Sequence, residues 1–241
     1  MARAFGLGVL FVVGMIVATV VLALPIFVFS FVRAARAFHP RGTVCRANVV
    51  ALDQDAGARL AGSARVRLSG STGAEDATVQ TVLGMAIKLD AGQDLPLATF
   101  EAFLKLADAT EHTHVADYLA NEFASVSPWR VRGLGIMWLR AVPSTPADPA
   151  AIGTRVERLD ARIAAGHATL VLEARDAPGP NAAVRARLAE LHLVERLAQD
   201  DPRFEISMFH TAAGISPTGI RNGIRAVVYP VSQLARRLRG G

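Results

Sequence analysis

A chain of 241 residues with 51% hydrophobic and 20% charged side chains is too apolar to be disordered, and it can hold a membrane segment plus one domain of about 200 residues. Its net charge of +5 comes from arginine, with Arg236, Arg237 and Arg239 crowded near the end, but no DNA-reading motif accompanies them and nucleic acid is not expected as a partner. The lone Cys45 excludes an internal disulfide and a cysteine zinc cluster, and it reads as a small buried hydrophobe on a strand.

The chain opens on 29 residues, Ala4 to Val32, without a charge, bracketed by Arg3 and Arg33. About 20 apolar residues suffice to cross a bilayer. Neither the short apolar core nor the cleavage site of a secretory signal is visible. Residues 1–35 are therefore expected to be a single-pass transmembrane anchor in the cell membrane, kinked or ended at Pro25, with one domain over 36–241. Arg33, Arg36, Arg41 and Arg46 follow the span and only Arg3 precedes it, which puts the domain on the cytoplasmic side.

Next comes Arg36-Ala-Phe-His39-Pro-Arg41-Gly42, an imidazole flanked by arginines and followed by a glycine. Strands are predicted around Thr43–Leu52, Ala64–Ser69, Met85–Leu89, Leu134–Val142, Ala168–Glu173 and Glu205–Phe209, from β-branched and aliphatic alternation. In Val66-Arg67-Leu68-Ser69 that alternation puts Arg67 and Ser69 on one face. Helices are predicted over Leu97–Leu106, Val115–Phe123 and Arg185–Ala198, from three- and four-residue apolar spacing. Pro143–Pro149 and Ala177–Asn181 read as loops. Glu111-His112-Thr-His114-x-x-Asp117 carries metal-capable groups, but its histidines lie two apart, which suits a strand rather than the helix expected there, and it reads as a solvated helix start. Gly133-Leu-Gly135 lacks the third glycine of a dinucleotide loop and reads as a close-packed strand. Tyr118 reads as core.

Arg221-Asn222-Gly223 reads as a turn leading into a terminal helix, Arg225-Ala-Val-Val-Tyr229-Pro-Val-Ser-Gln-Leu-Ala-Arg236. A phenol loses its proton near pKa ~10, so a tyrosine binds iron at neutral pH only where its anion is stabilised. Arg225, one turn earlier on the same helix face, supplies a guanidinium for that purpose. Arg236 falls near that face two turns later, although Pro230 makes the alignment approximate.

Three segments together resemble the haem catalase family. They are Arg36-x-x-His39-x-Arg41-Gly42, Val66-Arg67-Leu68-Ser69, and Arg225-x-x-x-Tyr229 with Arg236 seven residues later. They stand in the family's order, and the overall similarity spans most of residues 36–241. The resemblance implies an α+β fold: an antiparallel catalase-like β-barrel with surrounding helices, here preceded by the transmembrane helix. It implies one haem b with Tyr229 as the metal ligand and Arg225 keeping that ligand ionised. Arg36, Arg67 and Arg236 would neutralise the haem propionates. His39 would be the distal acid–base and Ser69 would fix its tautomer. The implied activity is reduction of hydrogen peroxide, or of organic and lipid hydroperoxides, through a ferryl state. The family's distal asparagine has no counterpart in Asp94-Leu-Pro-Leu-Ala-Thr99-Phe100, where Thr99 stands nearest its place. Peroxidase chemistry therefore competes with disproportionation. A lipid substrate is favoured by the six residues, Arg33 to Phe38, between the anchor and His39, which reach at most ~20 Å. Two rival readings are a haem sensor or carrier without turnover and a cofactor-free anchored scaffold. Homo-oligomerisation stays open.

Overall fold

The computed structural model describes residues 2–33, 35, 39–71, 79–101, 106–147, 152–199 and 204–239. Its centre is an antiparallel β-barrel. Strands β1 (Gly42–Ala51), β2 (Gly62–Gly70), β3 (Leu83–Leu89) and β4 (Gln93–Ala98) form a meander. β5 (Phe123–Ala124) joins β4 to β7 (Gly135–Pro143), and β8 (Thr169–Arg175) pairs with β9 (Val184–Gln199), which returns to β1. Pairing of β7 with β8 closes the ring of eight. Two short strands, β6 (Trp129–Val131) and β10 (Ile215–Pro217), extend β7 on one side.

The alternation in the sequence becomes the inside and outside of this ring. Cys45, Val66, Leu68, Met85, Ile87 and Leu97 point into one apolar core. Their neighbours of opposite parity face outward. Burial pushes the Cys45 thiol up to about 12, which makes it an inert core group rather than a nucleophile.

Five of the predicted strands are present, at 42–51, 62–70, 83–89, 135–143 and 169–175. The predicted helix Arg185–Ala198 is instead the strand β9. Its register against β8 skips Leu188, so Leu188 and Ala189 are both buried and the inward positions fall at 186, 188, 189, 191 and 193. That bulge imitates helical spacing in a segment of helix-favouring residues. Of the predicted helix Leu97–Leu106, residues 97–98 end β4, 102–105 lie outside the described residues, and Leu106 begins α3 (Leu106–His112). Within Val115–Phe123 only a single 3₁₀ turn, Tyr118–Ala120, forms, because Asp117 caps it at Leu119 N (2.8 Å) and Asn121 Nδ2 ties back to the His114 and Asp117 carbonyls. Glu205–Phe209 is irregular, and Gly133 and Gly135 turn the β6–β7 hairpin at positive φ. The unpredicted α4 (Arg155–Ala164) begins at a Thr154–Glu157 capping box and buries Arg155 over the Tyr118 ring, 5.1 Å from its centroid.

The long apolar segment is helical from α1 (Ala2–Val17) to α2 (Ala23–Arg33). The π-helical turn Ala18–Leu22 precedes Pro25, which has no N–H to offer the Val21 carbonyl, and the helix continues to Arg33. It is apolar and long enough to cross a membrane. The last helix, α5 (Gly219–Leu238), starts before the predicted turn at 221–223 and runs through Pro230. Thr218 Oγ1 and Asn222 Nδ2 donate to the Pro128 carbonyl (2.7 and 3.2 Å), and Arg221 Nη1 donates to the Val126 carbonyl (2.9 Å). These bonds pin the start of α5 to the barrel.

Because Leu139 is buried on the strand that closes the ring, opposite Ala174 of β8, Leu139→Ala is expected to lower stability by about 2–5 kcal/mol. Urea denaturation measures this as a lower midpoint at unchanged slope, while exposed Leu197→Ala stays within about 0.5 kcal/mol.

Candidate functional site

The register of β1–β4 sets out the outer wall in rows. One row is Gly42, Ser69, Gly84 and Ala98; the next is Val44, Arg67, Ala86 and Pro96; the third is Arg46, Arg65, Lys88 and Asp94. The first two rows carry small or apolar residues with Arg67 as the one charge. A flat, mostly apolar floor results, and α5 lies over it.

His39 reaches this floor from the segment before β1. His39 is half-buried, with Nδ1 out of solvent, and its ring lies against Gly84, where an added Cβ would come within 2.7 Å of Cε1 and 2.9 Å of Nδ1. Only glycine leaves room for the imidazole there. The His39 backbone is in the left-handed region, φ 53°, an uncommon conformation for a non-glycine residue. Arg67 Nη2 donates to the His39 carbonyl (3.0 Å) and holds that conformation from the second row. The guanidinium itself passes beside Gly42, where a Cβ would come within 2.9 Å of Cζ. At Gly42 a Cβ would also come within 2.5 Å of the Leu68 carbonyl oxygen, so backbone as well as side chain crowds that position.

Burial lowers the His39 pKa to about 4, and the charges of Arg67 and Arg225 push the same way against an opposing interaction with the Ser69 backbone. The imidazole is therefore neutral at physiological pH and can accept a proton. Its Nδ1 is buried without a side-chain hydrogen-bond partner among the described residues. Ser69 is buried, and its hydroxyl donates to the Gly84 carbonyl at 3.4 Å, beside the imidazole.

From the other side, α5 presents Arg225 and Tyr229 one turn apart. Tyr229 is half-buried and packs against the cluster of Val44, Phe204 and Ile206, which Ala86 also joins; Val44 and Ala86 are the lateral neighbours of Arg67. Arg225 Nη1 donates weakly to Asn222 Oδ1 (3.5 Å), and its charge is felt at His39. Arg236 is buried two turns beyond Tyr229, 4.0 Å from Glu205, and burial lowers its pKa despite that carboxylate. His39, Arg67, Ser69, Arg225 and Tyr229 are thus brought to one part of the wall, with Arg236 farther along α5. Arg36 lies outside the described residues.

The loop before α5 is fixed by charge. Fully buried Asp94 takes Lys88 Nζ (3.4 Å), His210 Nδ1 (2.9 Å) and the Ser207 N–H (2.8 Å), while Gln233 Nε2 donates to the Ile206 carbonyl (2.9 Å). Asp94 thus serves the loop rather than the distal pocket. Thr99 Oγ1 accepts the Leu83 N–H and bonds Thr113 Oγ1. The floor residues Gly84, Val44 and Ala86 were not singled out from sequence. Their signal was positional: they share parity with Arg67 and Ser69, but strand pairing is needed to see it. Among the described residues no three His, Cys, Asp or Glu side chains form a metal-binding group, and His112 ends α3 against the Asp108 carbonyl (2.8 Å).

No family model and no curated protein matches the chain. Among solved structures, a fungal catalase superposes with a TM-score of 0.59 at 12% identity, covering 84% of this chain and 59% of that one. A bacterial catalase superposes with a TM-score of 0.57 at 10% identity, covering 84% and 57%. This chain therefore spans less than three-fifths of the length of these catalases. The likeness is one of fold, a catalase-like barrel with helices around it.

The unfolded chain protonates His39 near pH 6.5 and the folded protein near about 4, so between these values the unfolded state binds more protons. The associated stability is present above pH 6.5 and is lost as pH falls towards 4. Between pH 7 and pH 4 the protein is expected to lose on the order of 3 kcal/mol more than His39→Ala, read from urea midpoints across that range.

Proposed function

We propose that the protein is a membrane-associated haem peroxidase of catalase-like fold, reducing hydrogen peroxide or organic hydroperoxides. The observation carrying this is a neutral, half-buried imidazole held against a glycine floor, with a phenol and a guanidinium on the helix that covers the same floor. The donor set fits a haem b. Tyr229 would be the iron ligand, Arg225 the adjacent cation favouring its anion, and Arg67 and Arg236 the partners of the propionates, together with Arg36. When bound, the haem supplies an iron that takes up the oxidising equivalents of a peroxide.

The rest of the chemistry belongs to the chain. His39 accepts the proton of the incoming peroxide and returns it to the departing oxygen, so that water (or, from an organic hydroperoxide, an alcohol) leaves rather than its anion. Its low pKa keeps the lone pair free for that first transfer. Arg67 holds the His39 backbone, and Gly84 sets how close the ring can lie to the wall. The cluster of Val44, Phe204 and Ile206 excludes water beside Tyr229. The segment Asp94–Phe100 carries no asparagine to orient a second hydrogen peroxide, which favours peroxidase turnover over disproportionation. Association of the apolar helix with the cytoplasmic side of the cell membrane would bring hydroperoxides with apolar tails close to α5.

Two substitutions test the assignment. Tyr229→Phe is expected to abolish the phenolate charge-transfer absorption of the haem-loaded protein; an unchanged spectrum, or a wild-type protein that takes up no haem, overturns it. His39→Ala is expected to leave haem bound while slowing the reaction with peroxide by ~10²-fold or more in stopped-flow mixing. Wild-type rates would remove His39 from the chemistry.

A further inference from the structure

The apolar helix does not stand away from the barrel. It runs parallel to α5 along nearly all of that helix. Leu7 lies against Gly219, Phe11 and Met15 against Gly223, Gly14 against Ile220, Ser30 Oγ bonds Ser232 Oγ (2.8 Å), and Arg239 Nη1 donates to the Phe31 carbonyl (3.0 Å). A Cβ on Gly14 or on Gly223 would collide with backbone of the other helix, so the two backbones cross in direct contact.

The distribution of side chains on this helix is inverted relative to a water-soluble one. Its buried positions are Gly14, Ala18 and Ser30, small or polar, while Phe5, Val20 and Leu24 are 78%, 79% and 72% exposed. A core-facing helix does the opposite, because large apolar groups gain most from leaving water. α5 adds to the same apolar display with Ile220, Leu234 and Leu238 exposed. At the shared C-terminal end of the two helices are Arg33, over the Phe29 ring at 5.0 Å, and Arg239, over the Phe31 ring at 5.5 Å. Such an apolar face ending in arginines suits hydrocarbon and headgroups together.

A perpendicular span is incompatible with this packing. The residues in contact with α5 run from Leu7 to Phe31, so only the first few residues of the segment are clear of it. Sinking the helix upright through ~30 Å of hydrocarbon would draw in Arg221, Arg225, Arg236 and the barrel wall beneath them. Lying flat, the same helix immerses one layer about 5–10 Å deep and leaves the barrel in water.

We infer that α1, the π turn and α2 form an in-plane membrane foot with the outer edge of α5, inserted into one leaflet rather than crossing the bilayer. This rests on the membrane association proposed above and is independent of the haem. The helix carrying Arg225 and Tyr229 is then the layer between lipid and barrel.

Depth measurements test it on the full chain in a Cys45→Ala background, reconstituted in vesicles of phosphatidylcholine and phosphatidylglycerol. Nitroxides are attached singly through Val9→Cys, Val13→Cys, Val20→Cys, Leu24→Cys and Val28→Cys, with far-ultraviolet circular dichroism confirming the fold of each. The expected result is a similar shallow depth for all five, within about 10 Å of the phosphates. A profile that deepens to the bilayer centre near Val20 and rises again means a span and overturns the inference, leaving membrane association intact. Labels that all remain in water overturn both. Val20→Asp is expected to weaken vesicle partitioning about tenfold or more, and unchanged partitioning also overturns the lipid contact.

Discussion

Everything positioned on this molecule depends on the closure of one hydrogen-bonded ring. Once β7 pairs with β8, every strand has an inside and an outside, and a residue's parity decides whether it fills the core or faces a helix. Cys45, Val66 and Met85 become core; Val44, Arg67 and Ala86, one residue away on the same strands, become the wall beneath α5. A slip of one residue would exchange these sets and place Arg67 in the core.

Outside the ring the molecule is layered by solvent preference. The barrel wall carries buried charge only where it is compensated: Asp94 gathers a lysine, a histidine and a backbone N–H, and Arg67 finds the His39 carbonyl. α5 faces this wall with Arg225, Tyr229 and Arg236 and turns Ile220, Leu234 and Leu238 the other way. The apolar helix covers part of that outer side through glycine contacts and keeps its own large side chains outermost. One amphipathic helix thus joins a polar interior site to an apolar exterior.

The same layering explains why His39 stays neutral. An imidazole whose Nδ1 is drawn out of water beside two arginines cannot take up a proton without facing both desolvation and like charge. Compact glycines on the wall make that withdrawal geometrically possible, since any side chain at position 84 would occupy the imidazole's space.

Much of this was readable in the chain itself. The uncharged run from Ala4 to Val32, the parity of Arg67 and Ser69, and the common helix bearing Arg225, Tyr229 and Arg236 are properties of local spacing, and local periodicity dictates which residues share a face. β9 was misread as a helix because a bulge at Leu188 breaks its alternation, and the compensating pairing lies far away on β8 and β1. That Gly84 and Ala86 stand beside Ser69 and Arg67, that the Ser69 hydroxyl turns to Gly84, and that the apolar helix lies along α5 were decided only by tertiary structure. Each depends on register or contact between segments distant in sequence, and no local pattern carries the loop-closure and packing energies that select those partners.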